Sequence, residues 1–458
     1  MKIFNSMTRT KQEFVPVHPG EARIYACGPT VYNYFHIGNA RPFIVFDTLR
    51  RYLEYRGYKV TFVQNFTDVD DKMIKRAAEE GITVKELGER FIAEYYKDAA
   101  GLNIKPASVH PKATEHIPEI IHLIETLIEK GHAYVAENGD VYYDAESFDG
   151  YGKLSGQKIE DLEMGARIDV TDVKRNPSDF ALWKAKKPGE IAWESPFSEG
   201  RPGWHIECSA MSMKYLGEQI DIHGGGEDLK FPHHENEIAQ SEGATCKPFA
   251  KYWMHNGFIR VNNEKMSKSL GNFFTVREIS EKYDLLAVRM FMLSSQYRNP
   301  INFSDDLIQQ AATSLERIMT CRATLKFVAD AGKEGEKVDF SAARDKFIEA
   351  MDDDLNTADA IAAIFELVKD VNTALAGGGD AESAKNALAL IDELMNVLGL
   401  LREGEEDGIP EEIKKLAEER AAARKNRDWA RADALRDEIK AKGYELKDSK
   451  DGVQITKI

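Results

Sequence analysis

Residues 27–41 read Cys-Gly-Pro-Thr-Val-Tyr-Asn-Tyr-Phe-His-Ile-Gly-Asn-Ala-Arg. Together with the segments before and after them, they indicate the fold. Residues 22–27 form an apolar run that predicts a buried strand, and residues 42–57 have helical spacing. Pro42 is expected in the first turn of that helix. A strand, a polar loop with glycine and a helix together offer backbone N–H groups to phosphate. This stretch alone supports an ordinary βα loop and a nucleotide site about equally.

Two further segments repeat this pattern and predict a parallel sheet. Residues 58–64 read as a second strand, so that strand, helix and strand form a βαβ unit. Residues 219–223 read as another strand. Three consecutive glycines, 224–226, are expected to form a loop between that strand and a helix that begins at Pro232. The sequence therefore predicts an α/β fold.

Polar and acidic side chains follow the second predicted strand. Residues 65–72 read Asn-Phe-Thr-Asp-Val-Asp-Asp-Lys. Because ligands bind beyond the carboxyl ends of parallel strands, we expect Thr67 and Asp68 to lie near a substrate. Asp70 and Asp71 are expected mainly as helix N-caps.

Composition and charge limit the class of protein. The 458 residues suggest about two to four domains, without an apolar run of membrane-spanning length or an apolar signal segment at the start. Four cysteines without CxxC spacing predict free thiols in a reducing cytosol. The net charge of −16 is uneven, because residues 251–300 and 420–442 together carry +8. These basic zones suit a nucleic-acid partner, although scattered solvated charges explain them as well.

The middle and the end of the chain add smaller segments. Two β-rich runs around Asn138-Gly139 predict a hairpin within an insertion at about 111–200. From residue 305 the apolar spacing is helical and predicts a bundle. Further on, a helical stretch at about 411–442, interrupted near 426–428, precedes two short β-like runs. Trp429 lies among arginines, which suits base stacking beside phosphate contacts, or equally a tryptophan buried beneath arginine stems.

Two cysteines, a histidine and a glutamate form a candidate metal site. His233 and Glu237 are four residues apart on a predicted helix and therefore share a face. By this spacing alone, a hydrogen-bonded histidine beside a surface glutamate is the better-supported interpretation. Cys27 and Cys208 would complete a zinc-like set of sulfur, nitrogen and oxygen donors, but only the fold could bring them to the pair.

Several motifs together resemble those of the class I cysteinyl-tRNA synthetases. Residues 36–39, His-Ile-Gly-Asn, are similar to the first class signature, and residues 265–269, Lys-Met-Ser-Lys-Ser, are similar to the second. Residues 203–208 and 231–237 resemble blocks particular to the cysteine enzymes, and residues 351–357 resemble the opening of their helical tRNA-binding domain. The resemblance covers essentially the whole chain.

The resemblance implies a fold class and a domain order. It implies a Rossmann-type parallel-sheet α/β catalytic domain with an inserted α+β connective domain, followed by a helical bundle and a small mixed α/β C-terminal domain. The implied limits are 1–110 and 201–250 for the two catalytic halves, 111–200 for the insertion, 251–310 for the stem-contact region with the second signature, 311–402 for the tRNA-binding bundle and 403–458 for the anticodon-binding domain.

The resemblance also implies roles for individual residues. One zinc ion per chain, which binds the substrate thiolate, would be held by Cys27, Cys208, His233 and Glu237. The catalytic residues would be His36, Asn39, Lys265 and Lys268. ATP would be bound by His36, Gly38, Asn39, Gly224, Gly225, Gly226, Asp228, Lys265, Ser267 and Lys268. Cysteine would be bound by Cys27, Gly28, Thr67, Trp204 and His223. The GCA anticodon would be read by Arg424, Trp429, Asp433 and Asp448.

The implied reaction has two steps. L-cysteine and ATP, with Mg²⁺, form cysteinyl-adenylate and pyrophosphate, and the cysteinyl group then moves to the 3′-terminal adenosine of tRNA-Cys. A metal–thiolate bond can exceed the roughly 1–3 kcal/mol per methylene that an apolar pocket supplies, so no separate editing domain is required. A cytoplasmic monomer without a membrane partner is expected.

One residue departs from the class pattern, and three rival functions stay open. Asn39 stands where the class has a second histidine; its amide can donate a hydrogen bond but carries no positive charge. A ligase that joins cysteine to a sugar amine would share residues 1–300 and should lack an anticodon domain. A non-catalytic tRNA- or zinc-binding relative would have lost activity, although the signature lysines and proposed zinc ligands are present. A zinc hydrolase would need an HExxH helix, which the sequence lacks.

Overall fold

The opening segment joins a buried strand to a long helix, as the sequence predicts. The helix spans Ile37–Tyr55 and begins five residues before the expected start at Pro42. The reason is that the carbonyl of His36 accepts hydrogen bonds from the backbone N–H groups of Asn39 and Ala40, at 2.9 and 3.1 Å. Pro42 therefore lies in the second turn, and the expectation of a first-turn proline was wrong.

A computed structural model describes residues 1–158, 173–262, 264–265, 273–376, 379–402, 410–449 and 452–457. The chain divides into two compact units. The first unit comprises Met1–Asp305 with Asp352–Asn356, and the second comprises Asp306–Met351 with Thr357–Ile458. The finer domain limits given above stay predictions.

The strands are short and belong to several sheets. In chain order they are β1 Lys2–Asn5, β2 Thr10–Glu13, β3 Glu21–Ala26, β4 Lys59–Gln64, β5 Ala133–Val135, β6 Val141–Tyr143, β7 Phe180–Ala185, β8 Gly200–Pro202, β9 Ile220–Gly226, β10 Ala250–Asn256, β11 Ile259–Val261, β12 Glu264–Lys265, β13 Ile301–Phe303, β14 Tyr444–Ser449 and β15 Gly452–Lys457.

Helices connect and cover these strands. In chain order they are α1 Ile37–Tyr55, α2 Asp71–Glu80, α3 Val84–Gly101, α4 Ile117–Glu129, α5 Trp204–Leu216, α6 Glu235–Thr245, α7 Val276–Ser280, α8 Leu285–Leu293, α9 Asp305–Ala331, α10 Ala342–Asp352, α11 Thr357–Ala376, α12 Ala381–Leu398, α13 Glu411–Lys425 and α14 Trp429–Ala441. Among the described helices, none combines the length and apolar character that crossing a bilayer requires.

The centre of the first unit is a parallel sheet of four strands in the order β10-β9-β3-β4. Its register places Tyr25 beside His223, and His223 beside Trp253. Because all four strands run the same way, their carboxyl ends meet at one edge of the sheet. Residues 27 and 65–67, which follow β3 and β4, lie at that edge, as the sequence predicts.

The three consecutive glycines belong to strand β9 rather than to a loop. Gly224, Gly225 and Gly226 continue the parallel pairing with β10. A Cβ atom on Gly224 would lie 2.2 Å from the ring of Phe46 and 2.4 Å from a backbone oxygen of β10. Glycine is therefore required here by packing against helix α1, a constraint that periodicity in one sequence does not reveal.

The insertion forms an antiparallel sheet in the order β5-β6-β7-β8. The predicted hairpin is β5 and β6, and helix α4 packs on the same apolar core, which includes Ile120, Leu127 and Trp183. Residues 159–172 lie outside the described part. This core also includes Ile206 of α5 and Ala239 of α6, so the insertion packs directly on the helices that follow β8 and β9.

The second unit begins with the long helices α9 to α12, in agreement with the predicted bundle. The expected interruption near 426–428 separates α13 from α14, and the two β-like runs form the antiparallel pair β14–β15. Ile413, Ala417, Ile439 and Tyr444 give this terminal segment a small core of its own.

His110 supports the sheet edge and should make stability depend on pH. Its Nδ1 donates to the carbonyl of Gln64 and its Nε2 accepts from the N–H of Ala107, both at 2.9 Å, so the ring is neutral. Burial lowers the pKa of His110 to about 4. In the unfolded chain the histidine pKa is about 6.5. Below that pH the unfolded chain therefore binds more protons than the folded chain, and stability is lost as pH falls from about 6.5 to about 4.

We expect the wild type to lose about 2 kcal/mol more than His110→Gln in unfolding free energy between pH 7.5 and pH 5. Urea unfolding at both pH values, followed by tryptophan fluorescence, measures this difference. Comparing the pH dependence of the two proteins cancels the pH-independent loss of stability that comes from removing the His110 ring. The centroid of that ring lies 5.0 Å from that of Phe66, on which it stacks. Equal pH dependence in the two proteins would contradict the prediction.

Candidate functional site

Four predicted metal ligands converge at the carboxyl edge of the parallel sheet. Cys27 follows β3, Cys208 lies in α5, His233 lies in the turn Lys230–His234, and Glu237 lies in the first turn of α6. Their ligand atoms all lie within 4.8 Å of one another, and all four residues are buried. We call this set the CCHE cluster. Two thiols, an imidazole and a carboxylate at this separation fit a zinc ion, which prefers sulfur and nitrogen donors.

Contacts among the residues of the CCHE cluster and with His223 shift the pKa values of all four residues. A hydrogen bond with Cys27 lowers the pKa of Cys208 to about 6, and burial together with Cys208 raises the pKa of Cys27 well above its usual value. Although burial acts the other way, His223 and His233 lower the pKa of Glu237 to about 2, and Glu237 raises the pKa of His233 to about 10. A bound cation would therefore replace protons on His233 and Cys27.

A second set of donors overlaps the CCHE cluster. Cys27, His223, His234 and Glu237 also place their ligand atoms within 4.8 Å of one another. His223 Nε2 lies 2.7 Å from Glu237 Oε2, and Cys27 Sγ lies 3.4 Å from His234 Nε2. The role of His234 was missed from the sequence, although the His-His pair at 233–234 was a signal.

Two further histidines contact the Nδ1 atoms of His233 and His234. His205 Nδ1 lies 2.8 Å from His233 Nδ1, and His234 Nδ1 lies 2.8 Å from His255 Nε2. His255 in turn contacts the hydroxyl of Ser6 at 2.8 Å. Such outer partners fix ring orientation and tautomer in metal sites. His205 and His255 were also missed from the sequence.

The predicted cysteine pocket adjoins the CCHE cluster. A Cβ atom on Gly28 would lie 1.7 Å from the backbone oxygen of Asn65, so only glycine fits at this position. The Asn65 side chain accepts from the N–H of Gly28 at 3.0 Å and donates to the Thr67 hydroxyl at 3.3 Å. Trp204 is 44% exposed, and its ring lies 4.4 Å from that of His233. Asn65, which links Gly28 to Thr67, was not predicted.

A cavity of about 540 Å³ opens beside this pocket. The start of α2, strands of the insertion and the first turn of α5 line it, with Trp204, His205 and Glu207 among the lining residues. The cavity therefore lies between the start of α2, the insertion and the first turn of α5.

The predicted phosphate site lies at the start of α1. His36 precedes the first helical residue, and Gly38 and Asn39 lie in the first turn, which carries no acidic residue. The positive end of the helix is thus not offset by a carboxylate of its own. The N–H of Ile37 donates to the carbonyl of Phe274 at 3.0 Å, so α1 contacts the segment just after the second signature.

Other predicted ATP residues are described only in part. Lys265 ends strand β12, while its side chain and the whole of Ser267 and Lys268 lie outside the described part. Asp228 lies in a short turn after β9, where a Cβ atom on Gly226 would lie 2.4 Å from Asp228 Oδ1. Gly224–Gly226 line the end of β9, two strands away from β4.

The predicted anticodon residues lie on the terminal helices and strands. Trp429 is the first residue of α14 and is 58% exposed, so it is not the buried tryptophan of the alternative interpretation. Asp433 is exposed on the same helix, and Arg424 lies in the last turn of α13. Asp448 pairs with Val453 through its backbone, and its side chain is outside the described part.

Comparisons with known families cover nearly the whole chain. Residues 13–313 match the family model for the class I (C) tRNA synthetase catalytic domain, residues 346–402 match the DALR domain, and residues 406–455 match the cysteinyl-tRNA ligase anticodon binding domain. The chain is 56% identical over 466 residues to a Cysteine--tRNA ligase of Clostridioides difficile (strain 630), with 100% of each chain covered.

Solved structures with low sequence identity share the fold. Mycobacterium tuberculosis methionyl-tRNA synthetase in complex with methionyl-adenylate has a TM-score of 0.60 at 15% identity, over 83% of this chain and 90% of that one. A putative arginyl-tRNA synthetase from Campylobacter jejuni has a TM-score of 0.57 at 13% identity, over 83% and 92%. The predicted α/β class with a parallel sheet is confirmed.

Proposed function

Because this chain belongs to the cysteine–tRNA ligase family, we propose that its CCHE cluster binds one zinc ion and that the substrate is selected there by its sulfur. The family settles the reaction: the chain activates L-cysteine with ATP to cysteinyl-adenylate and pyrophosphate, and transfers cysteine to the 3′-terminal adenosine of tRNA-Cys. What is proposed is how the residues of this chain perform that reaction.

The convergence of four donors within 4.8 Å carries the zinc proposal. A zinc ion held by these four residues would lower the pKa of the substrate thiol and take its sulfur as a ligand. Serine offers a harder and far less acidic oxygen, and alanine offers no ligand atom. The CCHE cluster is preferred to the overlapping set because it supplies two sulfur donors, whereas the overlapping set supplies one.

The chain's own residues would perform the activation step mainly by positioning and electrostatics. The cysteine carboxylate attacks the α-phosphate of ATP in line. His36 and Asn39 donate hydrogen bonds to the phosphates at the start of α1, and Lys265 and Lys268 neutralise the charge that develops there. Mg²⁺ accompanies the ATP. Gly224–Gly226, Asp228 and Ser267 would border the nucleotide.

Cysteine would lie between the CCHE cluster and the start of α1. Gly28 allows the end of β3 to lie against the backbone of Asn65. Trp204 and His223 would border the substrate beside Thr67. We also propose that the protein works as a monomer in the cytoplasm; a sedimentation experiment that finds a dimer at working concentrations would refute the first half of that statement.

One assay sequence tests the proposal. ATP–pyrophosphate exchange should depend on cysteine and on zinc content, and the same protein should charge a tRNA that carries a GCA anticodon. Exchange without zinc would remove the metal from the proposal.

Trp429 should affect charging without affecting activation. We expect Trp429→Ala to leave cysteine-dependent exchange unchanged and to lower kcat/KM for tRNA about 10- to 100-fold, because stacking on an aromatic ring contributes about 1–3 kcal/mol per base. Trp429→Phe keeps a ring and should restore most of the loss. Charging that is insensitive to Trp429→Ala would exclude the tryptophan from anticodon recognition.

A further inference from the structure

A buried arginine in helix α1 contacts the turn that leads to the second signature. Arg41 lies two residues after Asn39 and is 0% exposed. Its Nη1 donates to the carbonyls of Gly257 and Phe258, at 2.7 and 3.2 Å, and its Nη2 donates to that of Gln296 at 3.5 Å. All three acceptors are backbone atoms, so these contacts depend on where the two turns lie and not on their side chains.

Among the described residues, Arg41 lacks a carboxylate partner of the kind that other buried arginines have. Arg289 of α8 is also 0% exposed and also donates to backbone carbonyls, but its Nη2 pairs with Asp47 at 2.6 Å. The Nε of Arg41 has no hydrogen bond within the described part of the chain. A guanidinium stays protonated, and burying one without a counter-ion is unfavourable. The retention of Arg41 therefore needs a reason other than stability.

The two turns that Arg41 contacts pack tightly against each other. The N–H of Gly257 donates to the carbonyl of Tyr297 at 2.9 Å. A Cβ atom on Gly257 would lie 2.6 Å from the carbonyl oxygen of Arg298, so the two backbones are as close as glycine permits. Neither turn can shift far without the other, and Arg41 fixes both of them relative to α1.

Strand β11 carries this placement to the first residue of the second signature. It begins at Ile259, directly after the contacted turn, and pairs with β12 so that Arg260 lies opposite Lys265. It also pairs with β13, which begins at Ile301, shortly after the other contacted turn. Because strand pairing fixes the register, a shift of residues 257–258 would also shift the backbone of Lys265.

Helix α1 also contacts the chain beyond the second signature. The N–H of Ile37 donates to the carbonyl of Phe274 at 3.0 Å, and the N–H of Val276 donates to that of Phe35 at 3.1 Å. The start of α1 is thus joined to described residues on both sides of the second signature, before it by the guanidinium contacts and after it by these backbone bonds. One rigid helix therefore sets the place of both signatures.

We propose that Arg41 is a positioning residue for the activation step. Its contacts hold strand β12, and with it the backbone of Lys265, in place relative to the first signature at the start of α1. The proposal rests on the role given to Lys265 under the proposed function. A catalytic group displaced by about 1 Å can cost about 10²-fold in rate, so Arg41 can act without touching ATP or cysteine.

Arg41→Lys tests this while it keeps the buried positive charge. An ammonium lacks the planar fork of a guanidinium and should not bridge both turns. We expect kcat for cysteine-dependent exchange to fall about 10- to 100-fold, with KM for cysteine within about twofold of the wild type. Arg289→Lys is the matched control, because it makes the same change at an equally buried arginine that bonds instead to Asp47 and to the carbonyls of residues 102 and 103. It should keep kcat within about twofold.

A double-mutant cycle with Lys265→Ala shows whether Arg41 acts through the second signature. Lys265→Ala alone should lower kcat, as the proposed function requires, and adding Arg41→Lys to it should then cost less than about threefold, because residues that act as a unit are not additive. Independent effects that multiply, or an unchanged kcat for Arg41→Lys alone, would overturn the proposal. A Lys265→Ala protein with normal kcat would refute the role of Lys265 itself, and the role of Arg41 with it.

Gly257→Ala tests the same link with Arg41 intact, and it decides the matter if thermal unfolding shows that Arg41→Lys does not fold. The added Cβ would press on the backbone of residues 298–299 and displace a carbonyl that Arg41 contacts. We expect a lower kcat at an unchanged KM for cysteine, and this loss should again shrink in the Lys265→Ala background. A normal kcat, or a loss that persists in full in that background, would contradict the proposal.

Discussion

Cys208→Ser should produce a folded protein that binds no zinc and does not activate cysteine. The substitution keeps the shape of the side chain but replaces a thiol, whose pKa is lowered to about 6, with a hydroxyl that does not ionise near neutral pH. A serine oxygen is also a poor zinc ligand. We expect exchange to fall by more than about 10³-fold, since even changes to the outer partners of a metal site cost 10- to 100-fold.

Zinc per chain, measured by mass spectrometry of the purified protein, and cysteine-dependent exchange should be lost together. The chain provides two matched controls, because Cys246 is exposed and Cys321 is buried in the second unit, and neither belongs to the cluster. Cys246→Ser and Cys321→Ser should keep both zinc and exchange. Full exchange by a Cys208→Ser protein that contains no zinc would show that the metal does not select the substrate.

If Cys208→Ser retained zinc, the overlapping donor set would become the better assignment. That set contains His223 and His234 in place of Cys208 and His233. His234→Gln would then be the variant that loses the metal, whereas under the CCHE assignment it should keep the metal and disturb the contacts of His234 with Cys27 and His255. The two variants together therefore identify which ligands hold the ion.

The architecture was largely predictable from local pattern, and its exceptions have physical causes. Helical and strand periodicity placed β3, α1, β4 and the helices after residue 305 within a few residues. The start of α1 was missed because a histidine carbonyl, rather than a typical capping side chain, initiates it. The glycines of β9 were read as a loop because packing against Phe46 is a contact between distant segments.

The site was predictable only where residue type and resemblance coincided. The spacing of His233 and Glu237 indicated a shared face, but nothing in the local sequence brings Cys27 and Cys208 to it. The parallel register of β3 with β9 places Cys27, and the packing of α5 in the same core cluster places Cys208. Asn65 was missed because an amide near a strand end is common and usually structural. Its contacts with Gly28 and Thr67 become visible only when the chain is folded.

Asn39→Ala should lower kcat for cysteine-dependent exchange about 10²- to 10³-fold and leave KM for cysteine unchanged. Asn39 lies at the third position of α1, next to a helix end that carries no acidic residue in its first turn. An amide donor placed there can stabilise the negative charge that develops on the phosphates. Loss of one such donor typically lowers kcat about 10²- to 10³-fold. Stopped-flow or steady-state exchange over a range of cysteine concentrations separates kcat from KM.

Three further variants decide what Asn39 contributes. Asn39→His restores the second histidine of the class signature and keeps a donor, so it should retain activity within about tenfold of the wild type. Asn39→Asp removes the donor and adds a negative charge near the phosphates, so it should fall below Asn39→Ala. Asn33→Ala changes an asparagine of the preceding loop and should have little effect. If Asn39→His restored nothing while Asn39→Asp matched Asn39→Ala, then neither donation nor charge at this position would matter. Stabilisation of the phosphates would then fall to His36 and the helix end.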